Sequence, residues 1–361
     1  MTDPGPGNAD DGDPEDLPPA FRRTLAAAFP DRQVARAARP GGSDHPGNDV
    51  LRVTFADGGG PGAAYLKVAT DGDAGRIRRA AALSEYAGHH AAVRTPAVLA
   101  ADPGADPPYL ASAPLSGRPL ADRIGGDRHD ASDDRALVAV LRGVGRATAG
   151  LHAARFDRAG AVRGGDADGL DLAGEGWASV LRAVRLDPMS LPDRFGDLPG
   201  RAADLLESSA GRIELGDGEA TVVHDDLHSE NVFATDSGTQ QDRPGILDFE
   251  VGMVGDPSLD LVRTEDLAVD GRPDLDEGTR ERIRVALFDG YRTGARAHGL
   301  PVGPDGLPRG FDDRRPVYRV VTFLRTAITF ESWAPDGPEP VDEMAAWVRD
   351  EFDQRVRNAR A

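Results

Sequence analysis

Thr221-Val222-Val223-His224-Asp225-Asp226-Leu227-His228-Ser229-Glu230-Asn231-Val232-Phe233-Ala234 sets two short strand-like runs around a loop of eight residues. That loop holds two aspartates, two histidines and an asparagine. A third strand-like run, Gly245-Ile246-Leu247, ends on Asp248-Phe249-Glu250. Phosphoryl transfer asks little covalent help of a protein. It needs one carboxylate to orient and deprotonate a hydroxyl, and hard oxygen ligands to hold Mg²⁺ on the phosphates. In that pattern Asp226 is the base, and Asn231 and Asp248 are the metal ligands. Asp and Asn also form turns, so a lone His-x-Asp would read as a loop. The asparagine five residues on and the strand-ending Asp-Phe-Glu favour the chemical assignment. His228 is expected to brace the loop. Glu250 is expected either to touch metal or acceptor or to be a solvated strand-end acid. Asp256 is expected to make loop hydrogen bonds, and Asp260 to cap a helix.

The loop resembles the H-G-D-x-H-x-x-N motif of the aminoglycoside phosphotransferase and choline kinase-like family. Ile246–Leu261, which reads Ile-Leu-Asp-Phe-Glu-x-Gly-x-x-Gly-Asp-Pro-x-x-Asp-Leu, is similar to that family's second signature. Leu151-His152 resembles its Leu-His at the end of a long helix. The resemblance spans residues 20–335. It departs at Asp225, where the family usually has Gly. A carboxylate there is expected to raise the pKa of the base by like-charge repulsion, or to face solvent. The resemblance implies a two-lobed, protein-kinase-like fold. It also implies transfer of the γ-phosphate of ATP, with GTP as the alternative donor and Mg²⁺ as the metal, to a hydroxyl of a small molecule. The adenine is expected in the hinge, bonded to backbone near Ala111 and Ala113.

Toward the N-terminus lie a short helix, Phe21–Phe29, and three strand-like runs, Gln33–Ala38, Val50–Phe55 and Ala64–Val68. In the second, Leu51, Val53 and Phe55 alternate with Arg52 and Thr54, the pattern of a strand with one buried face. A helix follows, capped by Asp73, with Ile77, Ala80, Ala81 and Ser84 on one face. Val98–Ala100 and Tyr109–Ala111 complete five strands, and the proline-bounded 114–119 marks a hinge. Beyond it Leu137, Leu141, Val144, Thr148 and Leu151 step with helical spacing. Further helices are expected at 283–291, 317–330 and 341–356, and only the three runs between 221 and 247 read as strands. The fold class is therefore α+β. A disordered acidic tail is expected over 1–18, a small antiparallel nucleotide-binding sheet lobe over 19–113, and a larger, mostly helical catalytic and acceptor-binding lobe over 114–361.

Of 42 basic residues, Lys67 is the single lysine. It closes the strand Tyr65-Leu66-Lys67-Val68. A compact ammonium is not interchangeable with a guanidinium fork, so one lysine kept among arginines points to a site. In the fold the resemblance implies, this lysine reaches the α- and β-phosphates. Glu85, the one acid in the following helix, is its candidate carboxylate partner; a solvated helix-end glutamate is the alternative. Gly42 and Ser43 lie in a loop that is either a phosphate cover, bonding through backbone N–H groups, or a flexible hairpin connection.

The net charge of −19, from 42 basic and 61 acidic residues, excludes nucleic-acid binding as the main role. The absence of cysteine excludes disulfide and thiolate chemistry. No uninterrupted apolar run suits a membrane span and the N-terminal residues lack the order of a signal peptide, so a cytoplasmic protein is expected. An acidic, lysine-poor chain suggests a halophile's cytoplasm, where salt screens self-repulsion. No motif names the acceptor. Choline, ethanolamine, homoserine, methylthioribose and sugar amines remain open beside aminoglycosides, as does a non-catalytic, nucleotide-binding pseudokinase.

Overall fold

The alternation Leu51-Arg52-Val53 buries the two aliphatic side chains and exposes the arginine, and it lies in the second strand of a five-stranded antiparallel sheet. The computed structural model describes residues 12–40, 47–124, 131–234, 243–270, 275–337 and 339–361. Gly42 and Ser43 lie outside these residues. Ahead of the sheet stands α1 (Pro19–Ala28), whose Phe21, Leu25 and Ala28 pack into its core. The strands are β1 (Val34–Ala38), β2 (Asn48–Phe55), β3 (Ala63–Ala69), β4 (Val98–Asp102) and β5 (Tyr109–Ser112), in the order β1-β2-β3-β5-β4. Between β3 and β4 runs α2 (Ala74–His90). The Asp73 carboxylate caps it by accepting from the Arg76 N–H, and Ile77, Ala80, Leu83, Ser84 and Ala87 are buried along it.

Residues 12–18 depart from the expected tail. Asp13 caps a single 3-10 turn at Pro14–Asp16, Leu17 packs on the core of the sheet, and Gly12 O accepts from the Ala37 N–H. One apolar anchor and one ladder-like bond order a stretch that composition alone assigns to disorder. Residues 1–11 lie outside the described ones.

The hinge contains a short strand, β6 (Arg118–Pro119), at the edge of a second sheet, where a proline lacking its N–H is tolerated. After it come α3 (Ala131–Leu151), β7 (Arg155–Phe156), β8 (Ala161–Gly165), β9 (Leu170–Ala173), α4 (Trp177–Leu181), α5 (Leu198–Ser208) and α6 (Ala210–Ile213). Then follow β10 (Ala220–Val223), β11 (Val232–Ala234), β12 (Gly245–Ile246) and β13 (Met253–Gly255). Helices α7 (Pro257–Glu265), α8 (Glu277–His298), α9 (Phe311–Ile328), α10 (Phe330–Trp333) and α11 (Val341–Arg360) finish the chain. The small sheets are β13-β10-β7, β12-β11-β6 and β8-β9. Three expected strands after the hinge become seven among the described residues. The extra four span only two to five residues each, too short to show a period.

Helices α3 and α8 pack closely because glycines line the contact. A Cβ on Gly145 would stand 2.1 Å from Leu287 O, and one on Gly290 2.2 Å from Arg142 O. Leu137, Leu141, Val144 and Leu151 are buried beneath this pair. The close packing sets His152, at the end of α3, beside Tyr291 of α8. The architecture is α+β: an antiparallel sheet lobe followed by a larger, mostly helical one. No helix among the described residues is long and apolar enough to cross a membrane.

Candidate active site

Every residue of β10 is buried, and the strand delivers the chain to His224. The chain then turns at Asp225 with φ +62°, a left-handed conformation that Asp tolerates better than most residues. Asp260 of α7, fully buried, holds this turn. Its Oδ1 accepts from the Asp225 N–H at 2.6 Å and its Oδ2 from the His224 N–H at 3.0 Å, with His152 Nε2 3.1 Å away. His152 Nδ1 lies 3.1 Å from the Tyr291 hydroxyl. His224 Nε2 is 2.7 Å from Leu247 O, which can only accept, so Nε2 carries the proton. Nδ1 then accepts from the Asp226 N–H at 3.3 Å. The Thr264 hydroxyl donates to Leu227 O at 2.8 Å. The roles expected of the two later aspartates are exchanged. Asp256 is the cap of α7, accepting from the Ser258 N–H, and it also takes the Tyr318 hydroxyl and Arg314 Nη1. Asp260, lying within the helix, holds the loop instead.

Asp226 emerges from this brace partly exposed, with Arg263 Nη2 3.5 Å from Oδ1. Burial pushes its pKa up, but Arg263, Arg325, His228 and His224 outweigh burial and hold it below the usual carboxylate value. Asp226 is thus ionised at neutral pH. The Asn231 Nδ2 donates to Asp226 O at 3.0 Å and lies 3.2 Å from His228 Nε2. Its orientation follows from that carbonyl, and Oδ1 has no hydrogen bond among the described residues. Asn231 O accepts from the Leu247 N–H at 3.0 Å, which sets Asn231 beside Asp248. His228 is partly exposed, with Nε2 3.8 Å from Asp226 Oδ2.

Lys67 projects from β3, opposite Val50 and Leu110. Its Nζ lies 2.5 Å from Asp248 Oδ1 and 2.8 Å from Glu250 Oε2. Burial pulls the ammonium's pKa down, and the two carboxylates more than offset this, leaving it above its ordinary value. The same Glu250 oxygen accepts from Asn48 Nδ2 at 2.7 Å, and the Glu250 carbonyl accepts from Arg79 Nε at 2.6 Å. Asp248, like Asp225, is left-handed, with φ +65°. Lys67, Asp248, Asn231 and Asp226 are therefore brought to one place.

Two expectations for the nucleotide side are corrected. Glu85 is half-buried on α2 and makes no ion pair with Lys67 among the described residues. Arg79, not an acid, reaches this site from α2, and Glu250 supplies the partner carboxylate from 183 residues further along the chain. Ala111 is buried in β5, opposite Leu66 and Ala100, and the Ala113 N–H already donates to Ala97 O at 2.8 Å. The Ala113 N–H is thus committed to the sheet lobe rather than free for an adenine.

Asp225 differs from both outcomes expected of it. It is buried, and Arg185 Nε stands 2.7 Å from Oδ2 without the alignment of a hydrogen bond, so neither carboxylate oxygen has one. Burial raises its pKa to about 6; Arg185 and Arg263 oppose the rise, and Asp260 and Asp226 add to it. The raised pKa falls on Asp225, not on the base. Between its unfolded value of about 3.9 and this folded value, the folded protein binds more protons, so stability falls as pH rises through that window. The two-unit difference corresponds to about 3 kcal/mol. Asp225→Asn removes this dependence. Its stability relative to the parent, measured by urea midpoints, is expected to increase from pH 4 to pH 7. An equal difference at both pH values would show that Asp225 titrates normally.

A sheet carrying one half-buried lysine over a loop with an ionised aspartate and a neighbouring asparagine is the arrangement of a small-molecule phosphotransferase. Residues 45–300 match the model of the phosphotransferase enzyme family, APH, and the chain belongs to that family. No curated protein matches the sequence significantly. Among solved structures, an amicoumacin kinase in complex with AMP-PNP, Ca²⁺ and Ami is 14% identical, with TM-score 0.55, over 92% of this chain and 93% of its own. A candidate fructosamine-3-kinase from Haemophilus somnus 129PT is 12% identical, with TM-score 0.53, over 92% of this chain and 96% of its own. A candidate aminoglycoside phosphotransferase from Ralstonia eutropha JMP134 is 14% identical, with TM-score 0.53, over 94% of this chain and 97% of its own. At these identities the likeness is one of fold, the two-lobed kinase-like fold.

Proposed function

We propose that the protein moves the γ-phosphate of ATP to a hydroxyl of a small molecule, with Asp226 as the base. The observation that carries this is the convergence of the chain's one lysine with Asp248 beside a loop whose Asp226 is kept ionised. Lys67 would hold the α- and β-phosphates, and Asn231 and Asp248 would hold Mg²⁺. Asn231 Oδ1 and Asp248 Oδ2 carry no hydrogen bond among the described residues, which suits a hard cation. The metal, when bound, neutralises charge on the phosphates. Asp226 takes the proton of the acceptor hydroxyl. The freed oxygen bonds to the γ-phosphorus, the bond to the β–γ bridging oxygen breaks, and ADP leaves. The AMP-PNP and Ca²⁺ held by the amicoumacin kinase support an adenine nucleotide and a divalent metal here too. Residues 19–113 then form the nucleotide-binding lobe and 114–361 the catalytic and acceptor-binding lobe.

Lys67→Arg tests this function. The fork keeps the charge but cannot occupy the ammonium's place between Asp248 and Glu250. Calorimetry is expected to show at least tenfold weaker MgATP binding, an order of magnitude in keeping with a lost charge-assisted hydrogen bond. Unchanged MgATP affinity would make Lys67 a structural lysine. The surface suits a cytoplasm of high salt, since −19 net charges repel one another when unscreened. The melting temperature is expected to fall on transfer from molar KCl to dilute buffer; an equal midpoint in both would refute salt adaptation.

A further inference from the structure

Three arginines from three separate segments act on the Asp225–Asp226 turn: Arg263 lies 3.5 Å from Asp226, Arg185 lies 2.7 Å from Asp225, and the charge of Arg325 is felt at Asp226. Arg263, on α7, is almost wholly buried, yet its contacts are long. Nη2 is 3.5 Å from Asp226 and Nη1 3.5 Å from Asp266, while Nε is buried with no hydrogen bond. Asp266 is itself shared with Arg355, at 3.1 Å. Arg185, on the turn after α4, engages Asp225 only through Nε, which leaves its two terminal nitrogens without a protein partner among the described residues. Arg325, on α9, is exposed, and no carboxylate lies within ion-pair reach of it among the described residues. All three act on one another or on the two aspartates: Arg185 and Arg325 both repel Arg263, and Arg325 attracts Asp226. In a chain with a net charge of −19, the terminal nitrogens of Arg185 and the guanidinium of Arg325 are thus left without an acid partner among the described residues, close to the Asp225–Asp226 turn.

We propose that the acceptor carries an oxyanion, a carboxylate or a phosphate, next to the hydroxyl that is phosphorylated, and that Arg185 and Arg325 hold that oxyanion while Arg263 steadies Asp226. This rests on Asp226 being the base. A planar guanidinium with two free N–H groups matches the paired oxygens of a carboxylate or phosphate. A cationic acceptor would instead be repelled by the terminal nitrogens of Arg185 and by Arg325. The transfer step is unchanged: the acceptor O–H loses its proton to Asp226, and its oxygen bonds to the γ-phosphorus as the nucleoside diphosphate leaves.

The test is calorimetry on the full chain loaded with Mg²⁺ and AMP-PNP, titrated with matched probes. These are gluconate, glucose and glucosamine, with glycerol 3-phosphate against glycerol. Gluconate or glycerol 3-phosphate is expected to bind at least tenfold more tightly than its neutral or cationic match, and the better of the two identifies the oxyanion. Arg325→Ala is expected to weaken that binding at least tenfold, with partial recovery in Arg325→Lys. Tightest binding of glucosamine, no binding of either anion, or an Arg325→Ala effect confined to AMP-PNP would overturn the proposal. The last outcome would assign the arginines to the γ-phosphate. Failure to bind Mg²⁺ and AMP-PNP at all would instead bring down the kinase function itself, and this inference with it.

Discussion

Asp226→Asn is expected to lower kcat by about 10²–10⁴-fold, the usual scale of general acid–base help, with MgATP affinity nearly unchanged. The amide keeps the side chain's shape, and the backbone bonds of Asp226 to His224 and Asn231 do not involve the carboxylate. What is lost is the ability to accept the acceptor's proton. Arg263 loses one of its two long charge contacts, so a melt should accompany the rates to show that the fold persists. Asp248→Asn provides the contrast. It removes the charge of the proposed metal ligand and the closer partner of Lys67, so nucleotide binding should weaken together with turnover. Titration of MgATP into both variants, with steady-state rates, separates the roles. Loss of nucleotide binding in Asp226→Asn with none in Asp248→Asn would reverse them.

Asp260→Ala is expected to cost about 3–5 kcal/mol of stability, the scale for removing one partner from a buried charged network. Its carboxylate receives two backbone N–H groups and faces His152, all buried, and alanine leaves both N–H groups and His152 Nε2 without a partner. The loss should appear as a lower urea midpoint at unchanged slope. A shift under about 1 kcal/mol would mean that Thr264 and His224 hold the catalytic loop without Asp260, each through a single hydrogen bond of about that worth.

The parts of the site legible in the sequence are those whose spacing is local. Asp226 and Asn231 share one loop, and Asp248 ends the strand that pairs with β11. The five N-terminal strands were legible because β2 alternates and turns of Gly and Pro separate the runs. Lys67 was legible through composition, as the one lysine among arginines. What was not legible depends on where distant segments meet. Glu250 and Lys67 are 183 residues apart, and nothing local marks Glu250 rather than Glu85 as the partner. Arg185, Arg263 and Arg325 are three among 41 arginines, and only folding brings them together. Of these, Arg263 alone carried a local cue, three residues after Asp260 in the second signature. The exchange of roles between Asp256 and Asp260 turns on backbone geometry: Asp256 is extended and so can cap, whereas Asp260 is already helical.

Glu250 has mechanical consequences as well. Its carboxylate joins Asn48 of β2 and Lys67 of β3, its carbonyl joins Arg79 of α2, and its own chain leads into β13 and α7. One residue therefore pins the sheet to the helical half, and it does so with the same lysine that a triphosphate would claim. Phosphates that claimed Lys67 would compete with Glu250 for it, so the lysine that would hold the nucleotide is also one of the ties between the sheet and the helical half.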